Sequence, residues 1–419
     1  MPHRRRVSRS AFAAAYRSGG ARAKIAAMHR IAIVASHVIQ YQDPFFRLLA
    51  ADPEIDLTVL YCSSFGATSY RDEDMKTSLA WDIELLQGYR YRFLPNWSRD
   101  LNRGWLRHIN PSIVPAIVRG RYEMVIFMLG WGSVSALLGI AACKLTRTPF
   151  FLYGDSSFPP PETTMRSRIR ARFLRTLFGM TTGFMTSGVL NAGYYAHYGA
   201  DRKRFFLLPW AVDNDRFAAG SHDARAALRE RFGIAADAIV FVFSAKLVAR
   251  KDPMTLLRAF ERMRLRDRAA VVFVGDGELR AELEEYAQQH PLGGAHFAGF
   301  VNQNDLPGYY GLADVFVLPS TYEPRGAVIN EAMASGLPVI VTDRCGSIGD
   351  IVLDGDNAIV YPAGDADALS AAMDRLAGDD LLRARMSERS REIIGTWTFQ
   401  RGVKGVKQAL RWVAAGART

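Results

Sequence analysis

Short, continuously apolar runs recur along the chain, and between them hydrophobic positions return every three or four residues. In the first half the runs are IAIVAS (31–36), DLTVLYC (56–62), EMVIFML (123–129), PFFLYG (149–154), GFMTS (183–187) and RFFLLP (204–209). In the second half they are AIVFVFS (238–244), AVVFVG (270–275), HFAGF (296–300), DVFVLPS (314–320), PVIVTD (338–343) and AIVYP (358–362). Runs of this kind, alternating with helical periodicity, predict βαβ units and parallel sheets with helices on both faces. The pattern lapses at PWAVDNDRFAAGS (209–221), which is rich in turn formers. The prediction is an α/β chain of two Rossmann-like domains, 28–209 and 222–395, joined by a linker at 210–221. A final helical segment, 396–419, is placed to return to the first domain. Two such sheets direct their strand carboxyl ends at a central cleft, where open α/β sheets bind ligands.

A length of 419 residues suits two domains, and 49% hydrophobic against 23% charged residues excludes a disordered chain. Cys62, Cys143 and Cys345 are far apart and in no metal-ligand spacing, which excludes a disulfide framework or a zinc site and fits a reducing cytoplasm. The net charge of +11 is uneven: residues 1–208 carry 28 basic and 14 acidic side chains, residues 209–419 carry 25 and 28. The first half therefore faces an anionic partner: nucleic acid, a phosphorylated acceptor or a membrane surface. Residues 1–27 form a basic, acid-free tail of the kind that stays disordered; they also resemble a transit peptide, and translation could equally begin at Met28. The uncharged run from Met124 to Cys143 is long enough to span a membrane, but Gly130-Trp131-Gly132-Ser133 divides it into a strand and a helix.

The segment DVFVLPSTYEPRGAVINEAMASGLPVIVTD (314–343) combines a buried strand, a polar loop, a helix from about Gly326 and a second strand. Pro324 and Gly326 make Glu323 a loop residue, while Glu331 falls on the helix. A helix start aims free amides at the cleft, and Arg325, Gly326 and Ala327 can donate to a diphosphate. Glu331 can accept both hydrogens of a ribose diol, and Glu323 can hold sugar hydroxyls. In FVFSAKLVARKDP (241–253), Lys246 and Lys251 gather cations at a strand end, where they can neutralise a departing diphosphate; Arg250 is the less favoured third. Gly275 and Gly277, around Asp276, allow close backbone approach to a ligand. Arg280 stands where a dinucleotide fingerprint needs glycine, which argues against an NAD site.

Four ordered blocks, FSAKLVARKDPMTLLRAF, VFVGDGELRAELEE, HFAGFVNQNDLPGYYGLADVFVLPS and EPRGAVINEAMASGLPVIV, make residues 238–362 resemble glycosyltransferase family 4, the retaining GT-B enzymes. The stretch 187–217 is also family-like, and the rest of the first half is only loosely so. The resemblance implies a GT-B fold, a nucleotide diphosphate sugar as donor, and a saccharide or lipid-linked acceptor, with no nucleic acid. It assigns Lys246 and Lys251 to the diphosphate, Glu331 to the ribose, Glu323 to the transferred sugar, and the loop Gly299, Phe300, Val301 and Asn302 to the base. It also implies transfer with retention, in which the donor's diphosphate deprotonates the acceptor, and neither cofactor nor metal. Lys246 stands where arginine is usual, Arg325 where an aromatic is common, and HVIQYQDPFF replaces a Gly-Gly loop after the first strand. Asp155, after a strand end, is the candidate for orienting the acceptor; its alternative reading is a turn or capping acid. An epimerase or phosphorylase on the same architecture, or a donor-binding module without catalysis, are the rival readings.

Asp72-Glu73-Asp74, Asp213-Asn214-Asp215 and Asp354-Gly355-Asp356 match a metal-binding pattern but read as surface turns. In MRSRIRARFLRTLFGM (165–180) Met165, Ile169, Phe173, Leu174, Leu177 and Phe178 fall at helical spacing among five arginines. This stripe reads either as the core face of a helix or as a basic amphipathic helix for peripheral contact with an anionic membrane on its cytoplasmic side.

Overall fold

A computed structural model describes residues 28–72, 77–98, 106–220 and 224–416. The basic tail 1–27, most of Asp72-Glu73-Asp74 and part of the linker lie outside the described residues. The first half forms β1 (His29–Ala35), β2 (Ile55–Tyr61), the antiparallel pair β3 (Tyr70–Asp72) and β4 (Thr77–Leu79), β5 (Arg90–Phe93), β6 (Met124–Met128), β7 (Phe150–Tyr153), β8 (Gly183–Thr186) and β9 (Phe205–Leu207). The second half forms β10 (Ile239–Ser244), β11 (Ala269–Val274), β12 (Ala295–Gly299), β13 (Val315–Leu318), β14 (Val339–Thr342) and β15 (Ala358–Tyr361). One parallel sheet has the order β5-β2-β1-β6-β7-β8-β9 and the other β12-β11-β10-β13-β14-β15.

Strand β1 shows why the runs are apolar throughout. Ala32 and Val34 join the core on one face of the first sheet, while Ile31, Ile33 and Ala35 join the core on the other. A side-chain period of two with helices on both sides leaves no polar position. β5 escaped the sequence pattern because it is an edge strand whose RYRF sequence is mostly exposed.

Ser133 accepts a hydrogen bond from the Ala136 amide at 3.2 Å and starts the helix Val134–Thr146, so the uncharged run is a β-loop-α unit. Among the described residues no helix is long and apolar enough to cross a membrane.

The last helix, Phe399–Ala414, buries Val406, Ala409 and Leu410 in the core of the first sheet. A Cβ on Gly405 would lie 1.8 Å from the Leu207 carbonyl oxygen, so glycine lets the helix lie against β9. Lys407 fixes the docking with contacts of 3.0 Å to both Asp52 and Glu54.

Each sheet reverses its strand order once, at β1/β6 and at β10/β13. Loops that leave such neighbouring strands in opposite directions open a crevice at the carboxyl ends.

Candidate active site

Lys246 and Lys251 follow β10, and Glu323 follows β13, so the switch point of the second sheet brings them together. Lys251 and Glu323 form an ion pair, with only 12% and 7% of their side chains exposed. Arg250 braces the same place from outside: its guanidinium donates to the Tyr322 carbonyl at 3.1 Å, and its own carbonyl accepts from the Thr321 amide at 3.0 Å.

The loop from Glu323 to Gly326 is held to the exit of β14. The Glu323 amide donates to the Arg344 carbonyl at 3.0 Å, and the Gly346 amide donates to the Glu323 carbonyl at 2.7 Å. Ser347 Oγ donates to the Arg325 carbonyl. Gly326, with φ +73°, then turns the chain into the helix Ala327–Ala334; a Cβ there would approach the Glu323 side chain to 3.1 Å as well as force a left-handed side-chain residue. The helix start predicted near Gly326 is therefore at Ala327, with its amino end beside Glu323.

Glu331 lies on that helix and accepts a hydrogen bond from Tyr310 at 2.8 Å. Burial raises its pKa above the ordinary 4.5, with the Tyr310 hydrogen bond and the nearby Arg216 opposing. Glu331 lines a cavity of about 180 Å³ between the two sheets, together with Tyr41, Asp43, Arg47, Arg216 and Gln303. Arg216 is fixed in turn by two hydrogen bonds of 2.8 Å to Gln303.

Asp155 keeps contact with solvent at the end of β7, but the surrounding protein raises its pKa, first by desolvation; Glu323 adds to the rise, and Arg250 and Arg325 oppose it. Tyr41, in the segment HVIQYQDPFF after β1, has its pKa pushed well above the ordinary value by burial, and the carboxylates of Asp155, Glu323 and Glu331 add to the rise. With Asp43 and Arg47 it is part of the first domain's polar wall in this part of the cleft, and sequence reasoning missed it because nothing marks one tyrosine among the 16.

Two expectations need correcting. Gly275 and Gly277 make room for backbone rather than for a ligand: a Cβ on Gly275 would lie 2.0 Å from the Ala245 carbonyl oxygen, and one on Gly277 2.5 Å from that of Leu247. Their work is to seat the loop that carries Lys246, which is closed by the Leu247 amide donating to the Asp276 carbonyl at 2.9 Å. The Arg325 side chain is likewise not available to a sugar. It is 3% exposed, and its Nη1 donates to Asp350 at 2.7 Å and to the Gly346 carbonyl at 2.9 Å.

Asp350 was invisible in the sequence and joins the domains. It accepts from the Val189 amide at 2.8 Å, and the missing side chain of Gly188 leaves it space. Ser157 Oγ donates to the Pro324 carbonyl at 3.0 Å, so the first domain touches the Glu323–Gly326 loop directly. On the far side, Gly299 takes φ +76° beneath the Arg280 guanidinium, Phe300 lies 6.5 Å from Trp81, and Asn302 donates to the Ala80 carbonyl at 2.7 Å. Val301 is half-buried against the core of the second sheet.

Two of the carboxylate pairs set aside lie among the described residues, and their side chains serve the fold. Asp213 caps the helix Asn214–Ala219, Asp354 accepts from the Val360 amide at 2.9 Å, and Asp356 pairs with Arg389 at 2.8 Å.

Two facing parallel sheets, a loop-helix turn at the switch point of the second and a last helix returned to the first define the GT-B arrangement. Residues 224–393 match the family model described as glycosyl transferases group 1. The chain is 36% identical over 227 residues to a D-inositol 3-phosphate glycosyltransferase of Geodermatophilus obscurus, an alignment covering 51% of this chain and 48% of that protein. It is 35% identical over 205 residues to a GDP-mannose-dependent alpha-(1-6)-phosphatidylinositol monomannoside mannosyltransferase of Mycolicibacterium smegmatis, covering 46% and 52%. The chain thus spans about half the length of the curated relatives it matches. Among solved structures, Anabaena HepE in complex with UDP superposes with a TM-score of 0.71 at 17% identity, covering 92% of this chain and 100% of that one. The glycosyltransferase WaaG gives a TM-score of 0.62 at 18% identity, covering 92% and 100%.

Proposed function

We propose that this chain is a retaining glycosyltransferase of family 4 that moves a sugar from a nucleotide diphosphate sugar to a saccharide or lipid-linked acceptor. The observation that carries the reading is the joint placement of Lys246, Lys251, Glu323 and the amino end of Ala327–Ala334 at the switch point, with Glu331 further along the same helix. That set supplies cations and amides for a diphosphate, and acceptors for sugar and ribose hydroxyls.

In the proposed reaction the bond between the sugar's anomeric carbon and the diphosphate oxygen breaks. The acceptor oxygen bonds to that carbon on the same face, and its proton passes to the departing phosphate oxygen, so a nucleoside diphosphate leaves. The lysines and helix amides hold the developing negative charge, with no metal or cofactor assigned a part. Glu323 positions the sugar, and Asp155, on the opposite wall, orients the acceptor hydroxyl. The names of the relatives support a phosphorylated or lipid-linked acceptor in cell-surface polysaccharide or glycolipid synthesis. The basic first half supports peripheral attachment to the cytoplasmic face of an anionic membrane.

A panel of UDP- and GDP-sugars tests the reading. One nucleotide class is expected to raise the thermal midpoint of the wild type by mass action, and Glu331→Ala to cancel that rise. Nucleoside diphosphate release should require an added acceptor; conversion of donor to an isomer without one would establish the epimerase reading instead.

Glu331 also sets a pH dependence. Its raised pKa means that the folded state holds the proton more tightly than the unfolded state, so its contribution to stability is present at low pH and lost as pH rises through the folded value. Nucleotide binding has the opposite sign, because only the ionised carboxylate accepts two hydroxyl hydrogens. Affinity is expected to fall as pH drops through that value above 4.5. Glu331→Gln should flatten this profile, weaken binding and slightly stabilise the fold at neutral pH, which calorimetric titration and thermal melts at several pH values would check.

A further inference from the structure

The helix Met165–Met180 carries two apolar faces where its sequence suggested one. Ala171, Leu174, Leu177 and Phe178 are buried against the first sheet. Met165, Ile169 and Phe173 do not join them: they are 72%, 63% and 40% exposed, and Met180, on the same side, is 41% exposed. Spacings of four residues keep these side chains within a stripe roughly 80° wide, on the side of the helix away from the core.

Arginines border that stripe. Arg166 and Arg170 fall on one side, and Arg168, Arg172 and Arg175 on the other, by the same helical count. Between residues 156 and 200 Glu162 is the one acidic residue against these five, and it is taken by Arg175 at 2.6 Å. Arg170 donates to the Tyr194 hydroxyl at 3.0 Å and Arg168 to the Glu162 carbonyl at 3.3 Å, contacts that leave both charges uncompensated. The helix is capped firmly by reciprocal bonds between Thr164 and Ser167, so the stripe is a preformed surface.

We propose that the Met165–Ile169–Phe173 face of this helix docks the protein on an anionic lipid surface, with the flanking arginines on lipid phosphates and the apolar stripe at the acyl boundary. This deepens the peripheral attachment given above by naming its surface, and it is independent of the sugar chemistry. Charge selects the occupant: an outward apolar row edged on both sides by arginine complements anionic headgroups over hydrocarbon. Position agrees with it. The segment leading into the helix lines the cleft, with Ser157 on the Pro324 carbonyl and Phe158 6.1 Å from Tyr322, so docking would bring the mouth of the cleft to the bilayer.

Co-sedimentation of the full chain with phosphatidylglycerol-containing vesicles tests the proposal, with pure phosphatidylcholine vesicles as reference. Wild type is expected to pellet with the anionic vesicles and to be released by salt. Ile169→Asp with Phe173→Asp should lower partitioning at least tenfold, and each of Arg166→Gln, Arg168→Gln and Arg172→Gln about fivefold. Leu145→Asp, at a site 79% exposed on another helix, should change nothing. Unchanged thermal midpoints and nucleotide-induced shifts show that these variants fold and keep the donor site. Wild type that ignores anionic vesicles overturns the attachment, and variants that bind as well as wild type overturn the choice of helix. A wild-type dimer that the double variant turns into a monomer, without vesicle binding by either, gives the face to a second copy of the chain. Loss of the nucleotide shift in wild type would count against the proposed reaction and leave the docking result standing.

Discussion

Lys251→Ala is expected to lower sugar transfer by about 10²–10³-fold, the usual cost of removing one group that stabilises charge developing in a transition state. The ion pair with Glu323 complicates a single variant. Both side chains are largely buried, so deleting the cation strands a carboxylate and costs about 3–5 kcal/mol of stability. A simple loss of activity could then report unfolding. Adding Glu323→Gln to Lys251→Ala separates the two effects: with both charges gone the melting temperature should recover most of its loss, because a neutral amide in that place no longer demands a counter-charge. Transfer should stay low, since neither diphosphate nor sugar regains its contact. A double variant that recovers transfer along with stability would show that the lysine serves only the fold. In the proposed reaction the same pair would exchange partners, Lys251 giving part of its contact with Glu323 to an incoming diphosphate and freeing the carboxylate for sugar hydroxyls.

Gly346→Ala is the second large expected effect, and it acts through backbone alone. A Cβ at this position would lie 1.7 Å from the Pro324 carbonyl oxygen and 2.6 Å from Ser157 Oγ. Neither neighbour is a flexible chain end: the carbonyl belongs to the Glu323–Gly326 loop, and the hydroxyl is the first domain's hydrogen-bond donor to it. The loop between Glu323 and Gly326 must therefore move, at a cost of about 1–3 kcal/mol for a steric insertion of this size. Transfer should fall by about 10²-fold, because a displacement of about 1 Å in a reacting group is enough for that. Binding of the nucleotide alone should fall much less, since Lys246 and Glu331 lie outside the displaced turn. Comparing the nucleotide-induced thermal shift with turnover checks the prediction, and equal losses in both would refute it. Position 346 stands 23 residues after Glu323 in the chain and carries no side chain, so it has no sequence signature.

Gly275 and Gly277 follow a strand and precede a helix, the usual setting for backbone approach to a ligand. The approach exists, but the partner is the 245–247 backbone. Local sequence reports that a Cβ is excluded there and says nothing of what excludes it. Arg325 failed for a related reason. Its neighbours in sequence are ligand-binding candidates, while its partner Asp350 lies 25 residues on and is itself held by Val189 of the first domain.

The stripe on the helix Met165–Met180 is ambiguous in sequence because its two apolar faces, about 150° apart, share one run of hydrophobic letters. Solvent exposure alone assigned Leu174, Leu177 and Phe178 to the sheet and Met165, Ile169 and Phe173 to the outside.

By itself the sequence determined the α/β class, twelve of the strands, and the loop-helix frame around Glu323 and Glu331. These depend on hydrophobic period and on the backbone limits of proline and glycine, which act over a few residues and are written in consecutive letters. Only the tertiary structure decided that Lys251 pairs with Glu323, that Tyr41 lines the cleft beside Glu331, that Asp350 joins the domains, and that the last helix completes the first core. Each of these depends on residues tens to hundreds of positions apart, brought together because parallel strands at a switch point send their loops into one crevice.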